Sequence, residues 1–161
     1  MSDANFEFDR ALSNLHHNIT KLEELTLCVD KGLNLTINEL HLLECIQKAT
    51  KGEDGPTISA IAAKLDITRP STTVAVNKLK EKKYVEKIGC VNDGRSVRIK
   101  LTPRGKKVYA LHCEYHDKMA ETLNACFSAE EKQAFISSLQ KISDFYTDKL
   151  NEKYNEDDVD F

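Results

Sequence analysis

Two groups of side chains in this 161-residue sequence have the types and spacing to do chemistry. His112 and His116 stand four residues apart in "ALHCEYHDKMAE". On a helix that step stacks both imidazoles on one face, a spacing suited to chelating one metal ion. The second group lies in "TRPSTTVAVNKLK", where Arg69, Ser71, Thr72, Thr73, Asn77 and Lys80 combine hydroxyls, an amide and cations. Such groups bond to base edges in a DNA major groove and to the phosphates beside it. Chemistry of bond making has no comparable signal. There is no G-x-S-x-G, no phosphate-binding P-loop, no G-x-G-x-x-G, and no cysteine and histidine pairing that singles out a nucleophile. The sequence therefore points to a binding protein rather than an enzyme.

The elements that must carry these residues are mostly helical. In "FEFDRALSNLHHNITKLEELTL", Phe8, Leu12, Leu15, Ile19, Leu22 and Leu25 recur at steps of three and four, which predicts a long first helix with one apolar face. After "DKGLN", Thr36 and Glu39 have the spacing of a capping box opening a second helix, with Leu40, Leu43, Cys45 and Ile46 or Leu42 inward. "TKGEDGP" then predicts a loop. Thr57 caps a short third helix through Ile58, Ile61, Ala62 and Leu65, and "DIT" connects it tightly to a fourth. There Thr68 is the cap, Pro70 sits in the first turn, and Val74, Leu79 and Val76 or Ala75 supply buried contacts. Two short helices joined in this way are a helix-turn-helix pattern, whose second helix presents the hydroxyl-rich and basic group.

"YVEKIGC" and "RSVRIKL" alternate apolar and polar residues around the turn residues Asn92, Asp93 and Gly94, which predicts a basic hairpin, a wing. Arg95 near its tip suits a narrow minor groove, Arg98 suits phosphates, and Asp93 suits a short charged hydrogen bond that orients Arg95. Charge agrees with this placement. Residues 57–108 hold 13 Lys or Arg against 4 Asp or Glu, a balance of +9, while the rest of the chain sums to −12. Clustered cations neutralise phosphates and release their counterions, the main source of affinity for nucleic acid.

The remaining third reads as two helices. Pro103 opens one that continues through Val108, Leu111, Tyr115, Met119 and Leu123; Ser128 and Glu131 form a second capping box, followed by Phe135, Leu139, Ile142, Phe145 and Tyr146. Helices of this kind lack a partner within so short a chain, so a symmetric homodimer is expected to bury them. No window reaches the roughly 18 to 20 apolar residues of a membrane span, and the five cysteines form no C-x-x-C pair. A cytoplasmic protein with free thiols and no membrane association is expected.

The run "DGRSVRIKLTPRGK" resembles the D-x-R…LT-x-x-G signature at the wing of MarR-family transcription regulators, and "KLKEKKYVEK" and the two helices before it are similar to that family's DNA-binding lobe. The resemblance implies a mainly α fold with a small β-hairpin wing: an N-terminal dimerisation helix over 1–34, a winged helix-turn-helix lobe over 35–102, dimerisation helices over 103–154 and an acidic tail over 155–161. It further implies a homodimer on a palindromic double-stranded operator, usually as a repressor, with no cofactor required. Gly94 stands where the family often has a second arginine. Two subgroups resemble the chain further. In zinc-responsive repressors a Glu of the first helix, a His of the second and a His-x-x-x-His pair hold the ion; His41, His112 and His116 match that set, and Glu23 or Glu24 aligns loosely, Glu24 being taken as the fourth ligand. Repressors of fatty-acid biosynthesis, which respond to acyl groups on acyl carrier protein, carry a comparable E-L-H and LH-x-x-x-H, and "NELHLLECI" and "ALHCEYHDKMAE" look closer to these. A purely structural network, with the histidines bonded to a carboxylate such as Glu24, is the third reading of the same residues.

Overall fold

In the computed structural model, which describes residues 3–29, 31–52, 54–89 and 97–157, the chain is mainly helical with one two-stranded antiparallel sheet. The elements are α1 (Asp3–Glu23), a π-helical segment (Glu24–Val29), α2 (Ile37–Ala49), α3 (Ile58–Leu65), α4 (Arg69–Glu81), β1 (Val85–Gly89), β2 (Val97–Leu101), α5 (Pro103–Ala125) and α6 (Ala129–Asp157). Two compact units divide the chain, Met1–Glu114 and Tyr115–Phe161.

The core of the first unit is built by the expected faces. Leu40, Leu42, Leu43, Cys45 and Ile46 of α2 meet Ile61 and Ala62 of α3, Val76 and Leu79 of α4, and Ile99 and Leu101 of β2, all buried. Helices α2, α3 and α4 begin at the predicted caps. Thr36 Oγ1 accepts from Glu39 N–H while the Glu39 carboxylate accepts from Thr36 N–H; Thr57 and Thr68 accept from Ala60 and Ser71. Asp66 takes the left-handed conformation, φ 53°, that ends α3 and lets Ile67 and Thr68 swing the chain into α4. The hairpin pairs Val85 with Leu101 and Gly89 with Val97. The loop before α3 does more than connect: Ile99 N–H donates to the Pro56 carbonyl and Thr57 bridges Arg98, so residues 55–57 lie along the free edge of β2. A Cβ at Gly55 would run into the Ile99 carbonyl, which explains a glycine there.

Three expectations are corrected. The first helix does not run regularly to Leu27; Glu24–Val29 is π-helical, and its i→i+5 pattern brings residues five apart, such as Glu23 and Cys28, onto one side, where both are buried. Along α1 and the π-helical segment, Phe8, Leu15, Ile19, Leu22 and Leu25 are exposed. Val74, expected inside, is exposed as well, because the buried line of α4 is Thr72, Val76 and Leu79. In the second unit Ser128 and Glu131 form the reciprocal capping box, Phe127 stacks on Phe135, and α6 continues to Asp157, past the point where an acidic tail was expected.

Candidate nucleic-acid interface

The fourth helix shows which of its residues can meet a ligand. Thr72, Val76 and Leu79, at steps of four and three, form its inward line, each with essentially no exposed surface. Thr72, expected to reach DNA, is thus corrected to a core position; its hydroxyl donates to the Thr68 carbonyl at 3.0 Å. The step of its neighbours was the signal in the sequence, since a threonine in register with Val76 and Leu79 must share their side of the helix. Arg69, Thr73, Asn77 and Lys80 follow the same rhythm on an outward face, Arg69 and Lys80 exposed and Thr73 and Asn77 half-buried. Thr73 Oγ1 donates to the Arg69 carbonyl at 2.8 Å, which leaves its lone pairs outward. Ser71 is exposed on the other side of the helix, with Val74 and Lys78.

At the end of α4 the chain is fastened on two sides. Lys82 Nζ donates to both carboxylate oxygens of Glu39, at 2.9 and 2.7 Å, tying α2 to the C-terminus of α4. Burial would raise the Glu39 carboxyl, but the hydrogen bonds from Lys82 and the Thr36 N–H outweigh it and hold the group below the ordinary glutamate range. Opposite, the LT-x-x-G run acts as a clip. Thr102 Oγ1 donates toward the Lys83 and Tyr84 carbonyls and accepts from Gly105 N–H, and a Cβ at Gly105 would strike the Tyr84 carbonyl. The Arg104 guanidinium lies 4.5 Å over the Tyr84 ring and donates to the Tyr84 hydroxyl and the Lys82 carbonyl. Sequence reasoning passed over Glu39, Lys82 and Arg104 as positioning groups, because their partners lie about 20 to 43 residues away.

The wing is placed only in part. Its strands form the expected hairpin; Asp93 and Arg95 lie outside the described residues. Arg98, expected to reach phosphates, is turned to the protein: Nη1 donates to the Gly55 carbonyl at 3.3 Å, and Nε is buried without a hydrogen-bond partner. Its position beside residues 55–57 at the edge of β2 is the cause.

The histidine cluster is real, with a different membership. Glu23 Oε1 lies 2.6 Å from His112 Nε2 and 3.2 Å from His41 Nε2, and these three ligand atoms are within 4.8 Å of one another. Glu24, expected as the carboxylate, is paired with Lys21 at 3.0 Å; one residue along a helix is a rotation of about 100°. His116 is not among the gathered atoms, and its ring meets Tyr115 edge-on at 5.4 Å. His112 is 1% exposed, while the His41 side chain is 44% exposed and leaves the cluster open on one side. Two ligands of one tetrahedral zinc, each about 2.0 Å from the ion, are roughly 3.3 Å apart. The 2.6 Å contact is therefore a hydrogen bond first, and an ion requires the pair to part slightly. Cys28 lies in the buried shell nearby; burial, then the charges of Glu24, Glu23 and Glu39, pushes its thiol up, which suppresses the reactive thiolate.

Residues 32–96 match the family model described as "MarR family". The chain is 25% identical over 114 residues to YhjH of Bacillus subtilis (strain 168), an uncharacterized HTH-type transcriptional regulator; the match takes in 70% of this chain and 62% of YhjH. The chain thus spans less than two thirds of the length of the curated relatives it matches. The fold superposes on Streptococcus pneumoniae FabT in complex with DNA with a TM-score of 0.82 and 26% identity, over 89% of this chain and 98% of that one. It also superposes on the Staphylococcus aureus MepR–DNA complex with a TM-score of 0.69 and 23% identity, over 85% and 96%.

Proposed function

We propose, from the match of residues 32–96 to the MarR family model, a transcriptional regulator that binds a palindromic double-stranded DNA operator as a homodimer, acting as a repressor in the cytoplasm. The observation that carries this reading is α4, whose line Thr72, Val76 and Leu79 is locked in the core while Arg69, Ser71 and Lys80 are exposed and Thr73 and Asn77 half-buried beside that line. Two such helices related by a two-fold axis would sit about one DNA turn apart. Wing contacts come from Arg95, held by Asp93. The exposed apolar residues of α1 and of α6, including Ile19, Leu22, Phe135 and Leu139, supply the subunit contact. The regulated genes are those of fatty-acid biosynthesis, with an acylated carrier protein or acyl ligand as effector; the E-L-H and LH-x-x-x-H motifs and the superposition on FabT support that assignment.

The test is to recover the genomic fragments that the purified protein retains at physiological salt. Palindromic sites upstream of fatty-acid synthesis genes, with affinity altered by acylated carrier protein, are expected; sites elsewhere would overturn the physiological assignment. No salt-dependent retention of any duplex would overturn DNA binding itself.

The Glu23, His41 and His112 cluster favours a second reading, a zinc-responsive regulator of metal-uptake genes. These three residues would hold the ion, with the open side at His41 left for a further ligand. Calorimetric titration of the protein with zinc decides it: stoichiometric binding lost in His41→Ala, where the side chain is partly exposed, supports the metal reading, and no heat beyond dilution rejects it.

A further inference from the structure

Cys28 owes its burial to the way the first helix ends. On an α-helix five residues turn through about 500°, which is about 140° beyond a full circle. A regular continuation of α1 would therefore carry Cys28 away from the side of Glu23. It would set Cys28 three residues beyond Leu25, on the face where Leu25 is 41% exposed. The π-helical segment Glu24–Val29 prevents this: its i→i+5 pattern returns Cys28 to the side of Glu23, and Glu23, Leu27 and Cys28 are buried together. Leu27, four residues after Glu23, shares that side in either form of the helix.

A π turn is uncommon beside the α form, so contacts outside the helix must hold it. The strongest of these stands at its start. One oxygen of Glu23 lies 2.6 Å from His112 Nε2 and 3.2 Å from His41 Nε2, which pins the last residue of α1 to both α5 and α2. The other end is more loosely made. Gly32 N–H donates to the Val29 carbonyl at 3.0 Å, and Val29, Lys31, Gly32 and Asn34 are exposed. Gly32, at φ 61°, turns the chain with no heavy atom near the place a Cβ would take, so this connection has room to take up a change of register. The Glu23 carboxylate can be approached from outside, since the His41 side chain beside it is 44% exposed.

We propose that Glu24–Val29 is a two-state segment latched by Glu23: with the carboxylate on the two imidazoles it is π-helical and hides the Cys28 thiol, and with the carboxylate drawn away it winds as a regular α-helix and turns that thiol out to solvent. The latch makes the availability of a cysteine depend on a carboxylate five residues away. A small cation or hydrogen-bond donor that enters beside His41 and competes for the Glu23 oxygen is the class of ligand that would release it. The switch is independent of the DNA-binding reading.

Labelling of the native full-length protein with iodoacetamide, followed cysteine by cysteine by mass spectrometry, tests this. Glu23→Ala is expected to speed the labelling of Cys28 by about 10- to 100-fold, the change in population that loss of a hydrogen bond to a charged group brings. Cys45, buried in the lobe core, should stay as slow as in the parent. Glu23→Gln keeps a side-chain oxygen for the imidazoles and is expected to restore most of the protection. Hydrogen-bond couplings measured by NMR follow the helix itself: in Glu23→Ala the Cys28 N–H should pass from the carbonyl of residue 23 to that of Glu24. Unchanged labelling of Cys28 in folded Glu23→Ala overturns the switch, as does labelling that rises equally at Cys28 and Cys45, which marks general loosening. Should Glu23→Ala fail to fold, His41→Ala replaces it, because that side chain is partly exposed. Faster labelling of Cys28 alone then supports the switch, and unchanged labelling overturns it.

Discussion

Glu23 is the most exacting residue of the molecule, a carboxylate 4% exposed that serves two imidazoles through one oxygen. Glu23→Ala removes the carboxylate that bonds to both imidazoles, and a loss of about 1.5–3 kcal/mol is expected for a hydrogen bond to a charged group, measurable by urea denaturation. The pair of Glu39 and Lys82 gives a pH-dependent companion. A carboxyl held low in the folded state contributes stability that is full above its ordinary pKa of about 4.3 and is lost as pH falls through the lowered folded value. Glu39→Gln is therefore expected to melt lower than the parent at pH 7, and the two melting temperatures should converge in acid below that range. Thiol reactivity should be graded in the same spirit. Cys126 is exposed, whereas burial pushes the Cys28 and Cys45 thiols up, so iodoacetamide at neutral pH should label Cys126 well before either.

At the level of elements, the caps and the LT-x-x-G clip decide where α4 points. Thr68→Ala removes the acceptor of the Ser71 N–H and should cost about 1 kcal/mol of unfolding free energy. Gly105→Ala should cost more, about 1–3 kcal/mol as for other overpacked sites, because the new methyl meets a backbone carbonyl that cannot move aside cheaply. Most of these elements were legible in the sequence, since caps, helical stripes and an alternating hairpin are local patterns. Thr36 with Glu39, Thr57, Thr68, and Ser128 with Glu131 were all readable from spacings of a few residues. What escaped was non-local, or a local signal outweighed by residue type. The choice of Glu23 over Glu24 turns on how α1 is rotated, the engagement of Arg98 with Gly55 depends on a loop 43 residues earlier, and the burial of Thr72 was outweighed by its polar type.

For the whole molecule, the exposed apolar residues of α1 and α6 are the largest debt left by the fold of a single chain. If a second subunit covers them, Ile19→Glu or Leu139→Glu should shift the protein toward monomer in sedimentation and weaken operator binding at least tenfold, because one half-site then holds alone. The lobe should stay folded, since Ile19 and Leu139 are exposed and neither belongs to the buried core of Leu43, Ile46, Ile61 and Ile99. The π-helical segment at Glu24–Val29 has a bearing on how such an interface can be inherited. A π turn is the way a helix absorbs one extra residue without unwinding, so this segment has the form of a single-residue insertion carried in an otherwise ordinary α-helix. Deleting one residue there would restore the regular helix and turn everything upstream, Phe8 to Leu22, by about 100° against the buried anchor of Leu27 and Cys28. One codon at this point is enough to re-aim the whole apolar stripe, giving lineages a short route to subunits that no longer pair with their ancestors.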